Sequence, residues 1–266
     1  MTAISRSDVQ FSNVLASKVP QVTVMFWLVK ILATTVGETG GDAVSMTLNL
    51  GYGVASVIFL SLFGIALANQ VGTKRYHPFS YWAVVVATTT VGTTMSDYLD
   101  RTAGFGYVKS SIALFCGVLA VLFIWRRVVG RIKFENITTK KEEIFYWTTI
   151  LVSNTLGTAL GDFVATSAGL GFERGALLFA GLIALLAAAH VWLKRIPASL
   201  LFWSAYVMTR PLGATLGDTL TKSYAEGGLQ LSRISSSLTI AALMVALILM
   251  FQRRQPSTDS PAPAGQ

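Results

Sequence analysis

Asp42, Asp97, Asp162 and Asp218 close four copies of one pattern: an aromatic residue, Trp, nine residues, Gly, four residues, Asp. The copies run Trp27–Gly37–Asp42, Trp82–Gly92–Asp97, Trp147–Gly157–Asp162 and Trp203–Gly213–Asp218, each Trp preceded by Phe26, Tyr81, Tyr146 or Phe202. Nine residues past each Asp stands a further glycine, at 51, 106, 171 and 227. A carboxylate that recurs at one fixed position suits binding of a hard cation or a proton. On a helix, the positions eight before, four before and at the Asp share a face that drifts about 40° per step. These read Thr34–Glu38–Asp42, Thr89–Thr93–Asp97, Asn154–Thr158–Asp162 and Arg210–Ala214–Asp218. Oxygen ligands and amides dominate, with Glu38 an additional acid and Asp100 close behind Asp97. Lys30 lies one turn before Thr34, and Arg210 precedes Pro211. Two roles are open to the aspartates: ligands of a shared cation site (Asp42, Asp97, Asp162, Asp218 and Glu38), or wetted helix ends. For the Thr and Asn residues the alternatives are a substrate pathway and interhelical hydrogen bonding. Lys30 either snorkels to the interface or serves with Arg210 as an internal counter-charge. Arg210 is expected to pair with an acid on a neighbouring repeat.

The elements that carry these residues belong to a membrane protein. Only 13% of the 266 residues are charged and 53% are hydrophobic, against about 25% charged in soluble domains. Mean hydropathy is +0.58. Eight apolar stretches of about spanning length are expected at 22–42, 51–70, 79–97, 106–125, 144–162, 175–193, 198–218 and 234–251. The net charge of +8 is explained by basic residues flanking spans rather than by nucleic acid. Most lie at the N-terminus, in the loops around 74–75, 126–141 and 194–195, and in the tail, which places both termini in the cytoplasm. Arg101, Lys109, Arg174, Lys222 and Arg233 fall on the opposite side. The expected organisation is all-α and polytopic. A cytoplasmic N-terminus (1–19) precedes a membrane domain (20–252), whose repeats run about 20–75, 76–133, 141–195 and 197–252, and a tail (253–266) follows.

Two spans per repeat orient all four repeats alike, unlike inverted-repeat transporters. The odd helices should line the centre and the even ones face lipid. Gly37, Gly92, Gly157 and Gly213 are followed four residues later by Gly41, Ser96, Gly161 and Gly217, the small-xxx-small spacing that lets helices pack closely in lipid. The Trp, about 22 Å of helix from its Asp, is assigned to interface anchoring or packing. The pattern resembles a family of bacterial membrane proteins built from four tandem repeats of unknown function. In it each repeat has two transmembrane segments and a characteristic tryptophan, matched by Trp27, Trp82, Trp147 and Trp203. The resemblance implies the architecture and a bacterial inner membrane, and it carries no activity.

A single cysteine, Cys116, excludes disulfide frameworks and thiolate metal sites. Metalloprotease, nucleophile-elbow and Walker motifs are lacking, so no enzyme and no cofactor are expected. The partners are the bilayer and a small cation or solute. The function expected first is a transporter or channel-like protein for a small cation, divalent or proton-coupled. A carrier of a polar or anionic solute, and a structural or sensory subunit, are the alternatives.

Overall fold

The computed structural model describes residues 18–73, 76–193 and 195–254. Most of the expected terminal segments, 1–17 and 255–266, lie outside them. Among the described residues there are eight α-helices and no strand: α1 Val24–Asp42, α2 Gly51–Gly72, α3 Pro78–Asp97, α4 Gly106–Val129, α5 Lys140–Asp162, α6 Phe172–Trp192, α7 Ala198–Thr221 and α8 Arg233–Arg254. Their starts follow local chemistry. The Thr23 hydroxyl caps α1 by accepting from Phe26 N–H. Pro78 opens α3, and Thr139 with Glu142 forms a capping box at α5. Gly51 and Gly106 open α2 and α4 with φ of +72°, a conformation that suits glycine. That accounts for the glycine recurring nine residues after each Asp.

The helices form two layers. The inner layer is a closed ring in which α1 packs on α3, α3 on α5, α5 on α7 and α7 on α1. Each outer helix leans on the inner helix of the next repeat rather than its own: α2 on α3, α4 on α5, α6 on α7, and α8 back on α1. The exchange closes the ring, since the last helix supports the first. The outer helices α2, α4, α6 and α8 are long and apolar enough to cross a membrane. They expose Val57, Ile65, Ile112, Phe115, Leu177, Leu185, Leu238 and Leu243, the apolar outer surface that lipid requires. The inner helices carry buried polar residues instead.

The ring is tight because each glycine receives the neighbouring stripe. A Cβ on Gly37 would fall on Thr89, one on Gly157 on Arg210, and one on Gly213 on Thr34. On Gly92 it would lie 2.8 Å from the Asn154 carbonyl carbon. One turn on, Gly41 seats Thr93, Gly161 seats Ala214 and Gly217 seats Glu38. The polar face of each repeat is thus wedged into the small-residue groove of the repeat before it. Thr34 donates to Thr209 O (3.2 Å), Thr89 to Ala33 O (3.1 Å) and Thr93 to Gly37 O (3.1 Å).

Candidate functional site

Three inner helices end in the same way. A π-helical turn begins directly after the aspartate: Ala43–Thr47 after Asp42, Tyr98–Thr102 after Asp97, Phe163–Ser167 after Asp162. Such widened turns cluster at functional sites. The fourth copy differs, for α7 runs to Thr221 and Lys222 follows as its cap.

All four aspartates are buried, between 1% and 3% exposed, and they meet in two ion-pair triads. Arg101 Nε lies 3.0 Å from Asp97, and its Nη2 lies 3.5 Å from Asp162. Lys222 Nζ lies 3.2 Å from both Asp218 and Asp42. Each cation stands four residues after its own aspartate and reaches across to that of the next repeat. Repeats two and four supply the cations; at the same position repeats one and three have Met46 and Thr166. The triads lie at one level of the ring, since each aspartate stands five residues past the glycine that seats the neighbouring inner helix.

Glu38 breaks the two-fold balance. Its carboxylate, with those of Asp42 and Asp218, offers oxygens within 4.8 Å of one another. Arg210 Nη2 lies 2.9 Å from Glu38 Oε2 and also donates to the Thr93 hydroxyl. Arg210 therefore does pair with an acid of another repeat. It is fully buried, so the pair compensates a charge that desolvation alone would make very costly. Arg233, at the start of α8, lies 3.6 Å from Asp42. Three cations assigned to external loops in the sequence, Arg101, Lys222 and Arg233, thus belong to this acidic layer. An Asp-x-x-x-Arg or Asp-x-x-x-Lys spacing, one helical turn, was the signal available for the first two.

Beneath this layer the ring is polar but filled. Lys30 does not snorkel: it is fully buried, its Nζ 3.5 Å from Asn154 Oδ1 and 4.3 Å from the Tyr206 ring centre. Asn154 in turn donates to Thr88 (3.0 Å). Thr34, Thr89 and Thr93 spend their hydroxyls on neighbouring backbone, as interhelical bonding requires. Among the described residues the buried Thr158 hydroxyl has no hydrogen-bond partner.

The far end is closed by the repeated aromatics. Phe26 meets Trp82, Tyr81 meets Trp147, Tyr146 meets Trp203 and Phe202 meets Trp27, with centroids 5.5 to 5.7 Å apart. Each aromatic touches the Trp of an adjoining repeat, so the tryptophans pack the ring. The Tyr81 and Tyr146 hydroxyls are hydrogen-bonded at 2.6 Å. Phe134, from the loop between the halves, stacks on Phe202 at 4.7 Å, and Ile137 of that loop is fully buried.

Comparison with known proteins gives one family, described as a repeat of unknown function (DUF347), which matches four times, at residues 25–76, 80–130, 145–195 and 201–256. No curated protein and no solved structure matches the chain.

Proposed function

The chain belongs to the family built from this repeat of unknown function, and for it we propose an integral membrane transporter or channel-like protein for a small cation. In this proposal all eight helices span a bacterial inner membrane as four parallel two-helix repeats, both termini in the cytoplasm. The polar inner helices cross shielded by the apolar outer ones, which places the cost of their buried charges on protein contacts rather than on lipid. The observation that carries the proposal is the gathering of Glu38, Asp42, Asp97, Asp162 and Asp218 at one end of a closed helical ring. Oxygen donors in a low-dielectric layer favour hard cations such as Mg²⁺ or Mn²⁺, or protons. The aromatic girdle closes the opposite end, so passage requires the ring to rearrange there.

A carrier of a small anionic solute is the second reading, and one observation favours it. Buried Lys30 forms no ion pair among the described residues, and Arg210 Nε and Nη1 have no hydrogen-bond partner. Entry of a panel of cations and anions into proteoliposomes separates the two. Cation entry that disappears when all four aspartates become Asn supports the first. Anion entry that survives this change supports the second.

A further inference from the structure

The two triads are not equivalent, and their differences single out one of them. Arg101 is held by more than its carboxylates. Its Nη1 donates to the Tyr52 hydroxyl at 3.1 Å, and its guanidinium lies 5.8 and 5.9 Å from the rings of Tyr52 and Tyr107. A planar, many-donor group fixed in this way is poorly replaced by a spherical ion. Lys222 differs on each count. Its ammonium is a compact point charge, and among the described residues its ion pairs are with Asp42 and Asp218, both at 3.2 Å. A third acid, Glu38, stands within reach on this side, where the corresponding residues of the other repeats are Thr93, Thr158 and Ala214. Among the described residues Asp42 Oδ1 is buried and has no hydrogen-bond partner, so the cluster holds an acceptor that Lys222 leaves unused.

We propose that Lys222 is a tethered occupant of a divalent-cation site made by Glu38, Asp42 and Asp218, and that its ammonium and the ion exclude one another. The proposal rests on the cation reading above and names the site and its built-in competitor. When the ammonium leaves, Asp42 and Asp218 lose their shared counter-charge while Glu38 keeps Arg210. Their oxygens are the hard donors a divalent ion takes, with Arg233 still 3.6 Å from Asp42. Arg233, 3.6 Å from Asp42 and partly exposed, stands beside the site towards solvent. The backbone of Lys222 is fixed, since Gln230 N–H donates to its carbonyl (2.9 Å) and Gly228 fits directly against that carbonyl. Departure is therefore a swing of the side chain alone. The fourth repeat lacks the π-helical turn that carries Arg101 in the second, and Lys222 follows directly on its α-helix.

The test is Mn²⁺ binding to the purified full-length protein in detergent, read from the spin-resonance signal of free Mn²⁺. Lys222→Met should bind Mn²⁺ at least tenfold more tightly than wild type, and adding Asp42→Asn to it should abolish the gain. In unaltered protein, acetylation of Lys222 by an amine reagent, followed by mass spectrometry, should rise as Mn²⁺ saturates. This second measurement needs no variant to fold. Equal Mn²⁺ affinity in folded Lys222→Met and wild type overturns the proposal, as does Lys222 reactivity that stays constant while Mn²⁺ binds. Liposome flux separates the two levels. Mn²⁺ entry with no effect of Lys222→Met on binding sinks the tethered lysine and leaves transport standing. Tighter binding in Lys222→Met with no entry of any ion sinks transport and leaves the site.

Discussion

Replacing Gly92 by alanine tests the ring with one methyl group. The added Cβ would sit 2.8 Å from the carbonyl carbon of Asn154 and 3.0 Å from Thr155 N. Both are backbone atoms of α5 and cannot rotate away, so α3 and α5 must separate by roughly half an ångström to restore ordinary contact. Overpacking of this kind costs about 1–3 kcal/mol, and a gap of that width forfeits a further quarter or more of each dispersion contact along the seam. Alanine returns up to about 1 kcal/mol through its helix propensity. The net expectation is a loss of about 2 kcal/mol, or about 5 °C in apparent Tm at roughly 2–4 °C per kcal/mol. Gly64→Ala is the internal control: Gly64 lies on the exposed face of α2 with nothing among the described residues within 4 Å of the added carbon. It should be neutral or slightly stabilising. Melting of both variants in detergent, followed by tryptophan fluorescence, gives the comparison. A Gly92→Ala protein that melts with Gly64→Ala would refute the close ring.

Three further outcomes follow from buried partners and one exposed turn. Glu38→Gln should cost about 3–5 kcal/mol, because Arg210 is left buried without its charge partner, while the double change Glu38→Leu with Arg210→Met should recover most of it; equal melting for single and double variants would contradict this. Tyr146→Phe leaves the buried Tyr81 hydroxyl unpaired and should cost about 1–3 kcal/mol, with Tyr81→Phe in the same chain restoring much of the loss; additive losses in that cycle would count against the hydroxyl pair. The Ser223 hydroxyl and backbone N–H hold the Glu226 carboxyl below its usual range. That contribution is present above the ordinary glutamate value and is lost as pH falls through the depressed one, so hydrogen-exchange protection at residues 223–228 should drop on acidification, and flat protection down to pH ~3 would sink it.

The main features of the fold were written in the repeat. Gly37, Gly92, Gly157 and Gly213 lie at inner-helix seams, and the polar stripe beside them turns inwards, because in an apolar chain small and polar residues have nowhere else to go. Helix ends moved by a few residues: α5 starts at Lys140 rather than 144, since its capping box draws the polar first turn into the helix. What periodicity does not carry is which helix meets which. It places Thr34 and Gly213 on faces but cannot say that they touch, nor that α2 supports α3 instead of α1. The same gap hid the triads. Arg101 and Lys222 read as external loop charges because a basic residue past a span counts towards topology. Their spacing from Asp97 and Asp218 was visible, yet their second partners, Asp162 and Asp42, lie on other repeats.

In the proposed function the carboxylates around Lys222 handle a cation in transit. The most direct measurement is the initial rate of Mn²⁺ entry into proteoliposomes reading an internal fluorescent chelator, for wild type and for the Asp42→Asn, Asp218→Asn double variant reconstituted at equal folded amounts. Entry well above protein-free liposomes in wild type, falling to background in the double variant, is the expected result. Entry at the same rate in both, or none in wild type for Mn²⁺, Mg²⁺ and protons alike, would contradict it.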